Sequence, residues 1–326
     1  MVDCIMNSID AMEAEIGYQI TNLPESILDK QYENCLFTGS GDSYLAALEV
    51  QYLSQYRSVC CHPMDIVTNP DLAKDRSAVV LISVSGRTRA NILAAQAARS
   101  ADTTTIALTS SPESRLAKTC DKTIQLNYKS CGITTSGTIS FTASLVACLS
   151  LGGYATRLPP LADIYNKALG NAMEVADAMP RPCSCIVLAG GMFFPVASYM
   201  ALKFNEVFGA RAYAYDIDEF CHSPIFGTTK SDQLIILGQS SNTSKTSTNN
   251  IPKELESTFS CNFVECSSSS DPNPDPLESL LSGIFTVQLV ILSLAKKYRL
   301  NECYFLQNTP ISKTLFRTSS NLIYYD

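Results

Sequence analysis

Residues 78–88 read AVVLISVSGRT, and this stretch indicates the fold more clearly than any other part of the chain. Its first five residues are apolar, which is typical of a strand buried on both faces of a parallel sheet. Small hydroxylic residues and a glycine follow, and the pattern from Thr88 to Arg99 then predicts a helix. A buried strand that passes through a short polar turn into a helix is the repeating unit of doubly wound α/β sheets.

The same alternation of strands and helices continues on both sides of this stretch. We predict strands at residues 35–38, 78–84, 104–108 and 122–126, and again at 185–189, 233–237 and 261–266. We predict helices at residues 43–56, 88–99 and 138–151, then at 161–179, 195–207 and 277–297. The two passes have the same order, and the glycine turns at 39–41 and 190–191 lie about 150 residues apart. The segment SVSGRT at 83–88 is likewise matched by GQSSNT at 238–243.

This duplication predicts an α/β protein with two tandem three-layer α/β/α domains, each around a parallel, flavodoxin-like sheet. The first domain is expected at residues 1–155, beginning with a helix, and the second at 183–300. A linker helix is expected at 156–182 and a C-terminal tail at 301–326. Residues 240–250 and 267–276 are predicted to be surface loops because Ser, Thr, Asn and Pro dominate them.

Composition narrows the classes of function. The chain has 24 Lys and Arg against 31 Asp and Glu, a net charge of -7, and no visible basic cluster, which disfavours a nucleic-acid partner. The longest apolar stretch, Leu280 to Ala295, is shorter than the roughly 18 to 20 residues that span a bilayer, so we expect a buried core helix and no membrane partner. The N-terminus lacks the basic and apolar regions of a signal peptide.

Cysteine and histidine usage points to a reducing setting without a metal site. The 13 cysteines include no CxxC pair, and several lie in apolar runs, so we expect free thiols in a cytoplasmic protein. With only His62 and His222 available, a histidine-rich metal site cannot form, and no cysteine spacing suits zinc.

The turn SVSGRT at 83–88 is a candidate anion site. Backbone N–H groups at a helix N-terminus and several hydroxyls would converge there, as a phosphate requires. No Lys follows the glycine as in a nucleotide-binding P-loop, so a phosphate monoester fits better than ATP. The alternative is that Ser85 or Thr88 only caps the helix. The turn at 39–41 lacks the third glycine of a dinucleotide fingerprint, so no NAD site is expected.

Three segments together resemble the sugar isomerase (SIS) domain: GSGDSY at 39–44, ISVSGRT at 82–88 and TTTIALTSSPESRLAKTCDKTIQL at 103–126. The second pass resembles a second copy. The whole chain is thus similar to the tandem isomerase module of glucosamine-6-phosphate synthase and of archaeal phosphosugar isomerases and deaminases. The resemblance implies that Ser83, Ser85 and Thr88, with Ser43 beside them, hold a sugar phosphate. Arg87 stands where many members carry an acidic or neutral residue.

The second copy carries the residues that the resemblance implies for catalysis. The segment ALKFNE at 201–206 is similar to the family's Leu-Lys-x-x-Glu run, which assigns Glu206 as the base that moves a proton between sugar carbons. Spacing alone also allows Lys203 and Glu206 to be an ordinary solvated ion pair at i and i+3. The segment DEFCHSP at 218–224 resembles the family's Glu-x-x-His-x-Pro loop, which implies ring opening by His222. In relatives this His reaches the neighbouring subunit's site, which implies a homodimer with shared sites.

Two further features bear on the reaction. Pro310 to Lys313 loosely resembles the synthase tail whose Lys reaches the sugar, which makes Lys313 a candidate. The segment GITTSGT at 132–138 lacks the Glu and the Lys that the synthase carries there, and no glutaminase segment precedes the first copy, so glutamine-dependent synthesis is not expected. His62 is expected to serve packing.

The expected activity is interconversion of aldose and ketose, or amino-sugar, 6-phosphates by proton transfer between C1 and C2, without cofactor or metal. A glucosamine-6-phosphate deaminase or fructosamine-6-phosphate deglycase is the alternative within the same chemistry. A sugar-phosphate sensor without catalysis is an alternative of another class.

Overall fold

The structure is a computed structural model of the full chain. It describes residues 6–23, 27–28, 31–239, 251–266 and 275–325, with the side chains of 251–253 left aside. The loop predicted at 240–250, and all but the last two residues of the loop predicted at 267–276, lie outside the described residues.

Strands and helices alternate along the described chain as the sequence predicts. The strands are β1 (Leu36–Gly39), β2 (Val59–Cys61), β3 (Val79–Ile82), β4 (Thr105–Thr109), β5 (Lys122–Gln125), β6 (Ser184–Ala189), β7 (Arg211–Asp216), β8 (Gln233–Gly238) and β9 (Cys261–Glu265). The helices are α1 (Ser8–Asn22), α2 (Asp42–Leu53), α3 (Pro63–Thr68), α4 (Arg89–Ser100), α5 (Arg115–Thr119), α6 (Ile139–Leu151), α7 (Leu161–Ala178), α8 (Phe194–Phe208), α9 (Ile217–His222), α10 (Ile251–Thr258), α11 (Pro276–Lys297) and α12 (Pro310–Ile323).

The first sheet has five parallel strands in the order β2-β1-β3-β4-β5. Strand β3 lies beside β1 with Leu81 opposite Thr38, and both strands are buried along their whole length. One face of the sheet packs with Ile66 of α3 and with Ile92 and Ala95 of α4 in one apolar cluster. Helix α2 contacts β1 and β2 as well as α6. A sheet buried on both faces explains the continuous apolar run of β3.

The second sheet has four parallel strands in the order β7-β6-β8-β9, the same order as the first four strands of the other sheet. Phe220 of α9 and Leu255 of α10 pack on one of its faces, against Ile186 and Leu234. Helix α8 contacts β6 and β7, and α11 contacts α7 and α8. The predicted α/β class with two parallel sheets is therefore confirmed.

Helix α11 is the core helix that the sequence predicts. Its length and composition alone would suit a membrane span, but 83% of its most apolar window is buried inside the protein. The 22-residue helix carries buried polar side chains, among them Gln288 at 1% exposure. Among the described residues it is the single helix of this kind.

The division of the chain into compact units differs from the linear boundaries that the sequence suggested. One unit, here called the first-sheet unit, comprises Thr21–Ser130, Gly137–Arg157 and Asn308–Asp326. The second-sheet unit comprises Met1–Ile20, Cys131–Ser136 and Leu158–Gln307. Most of the N-terminal helix and residues 131–136 thus group with the second sheet, while the last 19 residues, 308–326, group with the first.

Several elements on and around the second sheet escaped the sequence analysis, among them β7 and α10. Strand β7 was not predicted, although the alternation of Ala212 and Ala214 with Tyr213 and Tyr215 is the pattern of a strand with one buried face. The segment at 218–224, expected to be a loop, forms the end of α9 and the start of a 3-10 turn at Pro224–Gly227.

Candidate active site

The turns after β1 and β3 lie at the point where the strand order of the first sheet reverses direction. In doubly wound sheets, ligands bind outside the carboxyl ends of the strands at this switch point. The segment 83–88, here called the serine loop, connects the end of β3 to α4. Ser43 lies half-buried in the first turn of α2, directly after β1. The fold therefore brings all four predicted phosphate-binding residues to the carboxyl edge of neighbouring strands.

The hydroxyls of the serine loop do not cap helix α4. Ser83 is 3% exposed, and its Oγ lies 3.0 Å from the Oγ1 of Thr88. Thr88 is the N-cap residue of α4, but its side chain makes no cap hydrogen bond. Ser85 accepts a long 3.4 Å hydrogen bond from the backbone N–H of Arg87. For Thr88 the alternative of a simple cap is thus wrong.

Glycine is required at two close approaches around these turns. Gly86 has a φ of +63°, and a Cβ added there would lie 2.0 Å from the Oγ of Ser114. A Cβ on Gly39 would lie 2.7 Å from the backbone of Ser43. Both contacts are shorter than any real Cβ tolerates. Only glycine therefore lets the serine loop approach Ser114, the N-cap of α5, and lets the turn after β1 approach α2.

Asn91 is a loop residue that the sequence analysis missed. It lies in the first turn of α4, is fully buried, and its Nδ2 donates a 2.6 Å hydrogen bond to the carbonyl of Ile82. This bond fixes the start of α4 to the end of β3, and hence the width of the serine loop. Its Oδ1 has no partner among the described residues. The sequence did contain a signal for Asn91, because an Asn three residues after the candidate N-cap Thr88 lies in the first turn of the predicted helix.

The second-sheet unit holds a buried charged group around Glu206. Both Lys203 and Glu206 lie on α8, and the Nζ of Lys203 donates a 2.6 Å hydrogen bond to the Oε2 of Glu206. The Lys203 side chain is 2% exposed and that of Glu206 is 35% exposed. The alternative of an ordinary solvated ion pair is therefore wrong, because the ammonium group is almost completely removed from water.

Ser136 completes this group and was not anticipated from the sequence. It is 1% exposed, and its Oγ donates a 2.6 Å hydrogen bond to the same Oε2 of Glu206. Two donors thus hold one carboxylate oxygen. The other oxygen, Oε1, has no hydrogen-bond partner among the described residues. A carboxylate with one oxygen fixed and the other open is suited to take a proton from a bound molecule.

Buried polar side chains continue from Lys203 into the core. The Nζ of Lys203 lies 5.0 Å from the ring centroid of Tyr199, which is fully buried. The Tyr199 hydroxyl accepts a 3.2 Å hydrogen bond from Gln288, and Gln288 accepts a 2.6 Å bond from Gln19. These contacts fix the aromatic ring against which the ammonium group packs.

Cys303 is a buried thiol that interacts electrostatically with Glu206, and it is kept neutral. It is fully buried, and burial raises the pKa of its thiol, although a hydrogen bond to the Ser136 backbone opposes that shift. The negative charge of Glu206 raises the pKa further. Cys303 therefore serves as a small packing residue and not as a thiolate.

The remaining predicted residues are exposed. His222 ends α9, and its Nε2 lies 3.8 Å from Asp218 on a helix face open to solvent. Lys313 is exposed in the first turn of α12 and has no ion pair among the described side chains. His62 stacks on Tyr44 at 3.9 Å between ring centroids, which is the packing role expected for it. No group of metal-ligating side chains was found among the described residues.

The fold and the serine loop have counterparts in a known family. Residues 20–152, which include Ser43 and the whole serine loop, match the SIS domain. The similarity to the SIS domain thus covers the segment that carries the first sheet. This confirms the resemblance that the motifs carry.

Two curated aminotransferases are similar to part of the chain. Glutamine–fructose-6-phosphate aminotransferase (isomerizing) from Pyrobaculum aerophilum is 26% identical over 241 residues, which cover 67% of this chain and 39% of the relative. The protein of the same name from Pyrococcus horikoshii is 24% identical over 60% of this chain and 36% of its own length. The chain thus spans well under half the length of the curated relatives that it matches.

Solved structures of two sugar-phosphate enzymes share the fold over nearly the whole chain. A glucosamine-6-phosphate deaminase from Thermotoga maritima superposes with a TM-score of 0.70 at 22% identity, covering 91% of this chain and 94% of that one. A tagatose-6-phosphate ketose/aldose isomerase from Escherichia coli superposes with a TM-score of 0.64 at 16% identity, covering 90% and 91% of the two chains. The shared fold extends over both sheets.

Proposed function

We propose that this SIS-domain protein is a phosphosugar isomerase that binds a six-carbon sugar 6-phosphate in open-chain form and moves a proton between C1 and C2. The relatives named above act on fructose 6-phosphate, glucosamine 6-phosphate and tagatose 6-phosphate by their names, which supports this substrate class. The observation that carries the proposal is the Glu206 carboxylate, with one oxygen held by two donors and the other open.

The serine loop is proposed to anchor the phosphate. The hydroxyls of Ser83, Ser85 and Thr88, together with Ser43, supply donors near the N-terminus of α4, where backbone N–H groups also favour an anion. Each hydrogen bond to a charged phosphate oxygen is worth about 1.5 to 3 kcal/mol. Since the phosphate does not react, this binding energy serves to position the sugar.

Glu206 is proposed as the general base. Its Oε1 takes the proton from C2 of the aldose, which leaves an enediolate. The O2 hydroxyl proton passes to O1, and Glu206 returns its proton to C1, which gives the ketose. Lys203 and Ser136 hold Oε2, so the carboxylate keeps its orientation when the proton arrives and leaves. A positioned base of this kind contributes roughly 10²- to 10⁴-fold in rate. No redox cofactor or metal enters this scheme.

His222 and Lys313 are proposed to assist from exposed positions. An exposed His222 is compatible with a role in the site of a second subunit, where it would open the sugar ring, and we therefore propose a homodimer with shared sites. The 12 cysteines within the described residues are free thiols, and we propose a cytoplasmic location.

Proton exchange at C2 of glucose 6-phosphate and at C1 of fructose 6-phosphate, followed by NMR in deuterated water, tests the base. Glu206→Gln should bind the sugar phosphate but lose exchange, because an amide cannot take a C–H proton. Glu256→Gln, an exposed change on α10, is the matched control and should exchange as wild type does. Exchange at the wild-type rate in Glu206→Gln would remove this residue from the mechanism.

Phosphate binding is tested separately by calorimetry. Ser83→Ala with Ser85→Ala should weaken binding by more than about tenfold, while Ser100→Ala at the exposed end of α4 should leave it unchanged. Equal affinity in the double variant would contradict the anion site. Ammonia release from glucosamine 6-phosphate would identify the deaminase alternative, and binding without any C2 exchange in wild type would identify the sensor.

A further inference from the structure

Three arginines that are scattered in the sequence meet beside the serine loop. Arg87 belongs to the loop, Arg89 is the first residue of α4, and Arg115 is the first residue of α5. The backbone N–H of Leu116 donates a 3.0 Å hydrogen bond to the carbonyl of Gly86, which places the start of α5 directly against the loop. All three arginines are exposed. We call them the arginine cluster.

The two C-terminal tyrosines hold the cluster together. The Arg87 guanidinium lies 5.1 Å from the ring centroid of Tyr324. Those of Arg89 and Arg115 lie 4.7 Å and 3.9 Å from the centroid of one shared ring, Tyr325. The backbone N–H of Tyr325 also donates a 3.3 Å bond to the carbonyl of Arg87, and Thr88 pairs with Tyr324 as a β-bridge. The tyrosines thus fix these guanidinium planes beside the serine loop.

Among the residues that the structure describes, no carboxylate balances the charges of the cluster. Within the described residues, none of the three guanidinium groups forms an ion pair or a side-chain hydrogen bond. Stacking on a ring occupies the plane of a guanidinium and leaves the N–H donors at its edge open. Those edges match the oxygens of a carboxylate or a phosphate in pairs.

The position of the cluster is unfavourable for the fold itself. Arg89 opens the 12-residue helix α4, whose N-terminus carries partial positive charge, so a cation there opposes the helix dipole. Three like charges close together also repel one another. A local conflict of this kind is typical of a functional position. An anion bound at the cluster would remove both penalties.

We propose that the arginine cluster is a second anion subsite next to the serine loop, and that the substrate is a sugar phosphate with a second anionic group, a carboxylate or a second phosphate. The inference rests on the proposed function and narrows its substrate class. The serine loop takes one phosphate, and the guanidinium edges of the cluster take the other group. Tyr324 and Tyr325 act as positioning residues for the guanidinium groups.

Calorimetric titration with three ligands tests the proposal. Fructose 6-phosphate has one anionic group, whereas fructose 1,6-bisphosphate and 6-phosphogluconate carry a second phosphate or a carboxylate at the other end of the sugar. Wild type should bind at least one of the latter two about tenfold more tightly than fructose 6-phosphate. Tighter binding of 6-phosphogluconate assigns a carboxylate, and tighter binding of the bisphosphate assigns a second phosphate.

The variant Arg89→Ala with Arg115→Ala should lose this preference and keep its affinity for fructose 6-phosphate within about threefold. Lys118→Ala is the matched control, because Lys118 is an exposed cation on the same short helix that pairs with Glu113 at 3.5 Å. Both changes are at exposed positions, and circular dichroism verifies the fold.

Two results would overturn the inference while leaving the proposed function intact. One is equal affinity of wild type for all three ligands. The other is an equal loss of affinity for all three ligands in the variant Arg89→Ala with Arg115→Ala. That result would mean that the cluster binds the same phosphate as the serine loop. Failure of all three ligands to bind wild type would overturn the proposed function, and this inference with it.

Discussion

The Lys203–Glu206 pair predicts an unusual asymmetry in stability. We consider Lys203→Met, which keeps the length of the side chain without its charge, and Glu206→Gln, which keeps the shape of the carboxylate. The two side chains share one 2.6 Å contact, but Lys203 is 2% exposed while Glu206 is 35% exposed. The two single changes therefore leave very different partners behind.

The loss of stability in each variant depends on which charged group remains buried. Glu206→Gln keeps the Lys203 ammonium in the core and replaces its carboxylate partner with a neutral amide, at a cost of about 3 kcal/mol, the lower end for breaking a buried pair. Lys203→Met leaves Glu206 with water on its exposed side and with the Ser136 hydroxyl, so the cost is about 1 kcal/mol. The double variant should cost less than Glu206→Gln alone, because no unpaired charge stays buried.

The free energies of unfolding of wild type, the two single variants and the double variant are measured in urea at pH 7. Unfolding is followed by circular dichroism because the chain has no Trp. Wild type should have the highest free energy of unfolding, followed by Lys203→Met and then the double variant. Glu206→Gln should have the lowest. If Lys203→Met were as destabilising as Glu206→Gln, the argument from unequal burial would be refuted. Activity assays of Glu206→Gln should be run well below its unfolding midpoint.

Three other perturbations follow from the structure. The Glu49 carboxyl is fully buried without a partner among the described residues, and burial raises its pKa well above the usual value. Because this pKa is higher in the folded state, the protein loses stability as the pH rises from the pKa of the unfolded state toward that of the folded state. Glu49→Gln should therefore stabilise the protein in urea unfolding at pH 8 more than at pH 5. A difference that does not depend on pH would contradict this. Gly86→Ala should cost about 1 to 3 kcal/mol of stability from overpacking, in addition to backbone strain, and should weaken phosphate binding. Gly41 also has a positive φ, but the space around an added Cβ is open, so Gly41→Ala should cost only about 1 to 2 kcal/mol. Equal melting temperatures of the two variants would argue against the close approach at Gly86. Inactive His222→Ala and Glu206→Ala proteins, once mixed and exchanged, should recover partial activity because a heterodimer holds one intact shared site; no recovery, with exchange shown by mass spectrometry, would place His222 outside the partner's site.

The sequence predicted the order of the major elements and the place of the serine loop between β3 and α4. The apolar run at 78–82 and the periodicity of the segments around it are local signals, and the strands and helices appear within a few residues of their predicted limits. Strand β7 was missed because its short alternation of Ala and Tyr lacks the long apolar run of the central strands. The unit boundaries also differ, because residues 131–136 leave the first sheet and group with the second.

Contacts between distant positions were out of reach of sequence reasoning. Ser136 lies 70 residues from Glu206 along the chain, and nothing in its own segment GITTSGT points to a carboxylate partner. The arginine cluster was likewise hidden, since Arg115 and the C-terminal tyrosines are far from the serine loop in sequence. The composition suggested that no basic cluster exists, and folding forms one locally.

The sequence by itself determined the doubly wound sheet, the serine loop and the shared helix face of Lys203 and Glu206, because each depends on the spacing of neighbouring residues along one element. Only the tertiary structure decided that Lys203 is buried, that Ser136 holds one oxygen of Glu206, and that tyrosines cover the arginines. The spacing of residues fixes which side chains share a face. What packs against that face, and so whether a charge meets water or another side chain, depends on segments that meet only when the chain has folded.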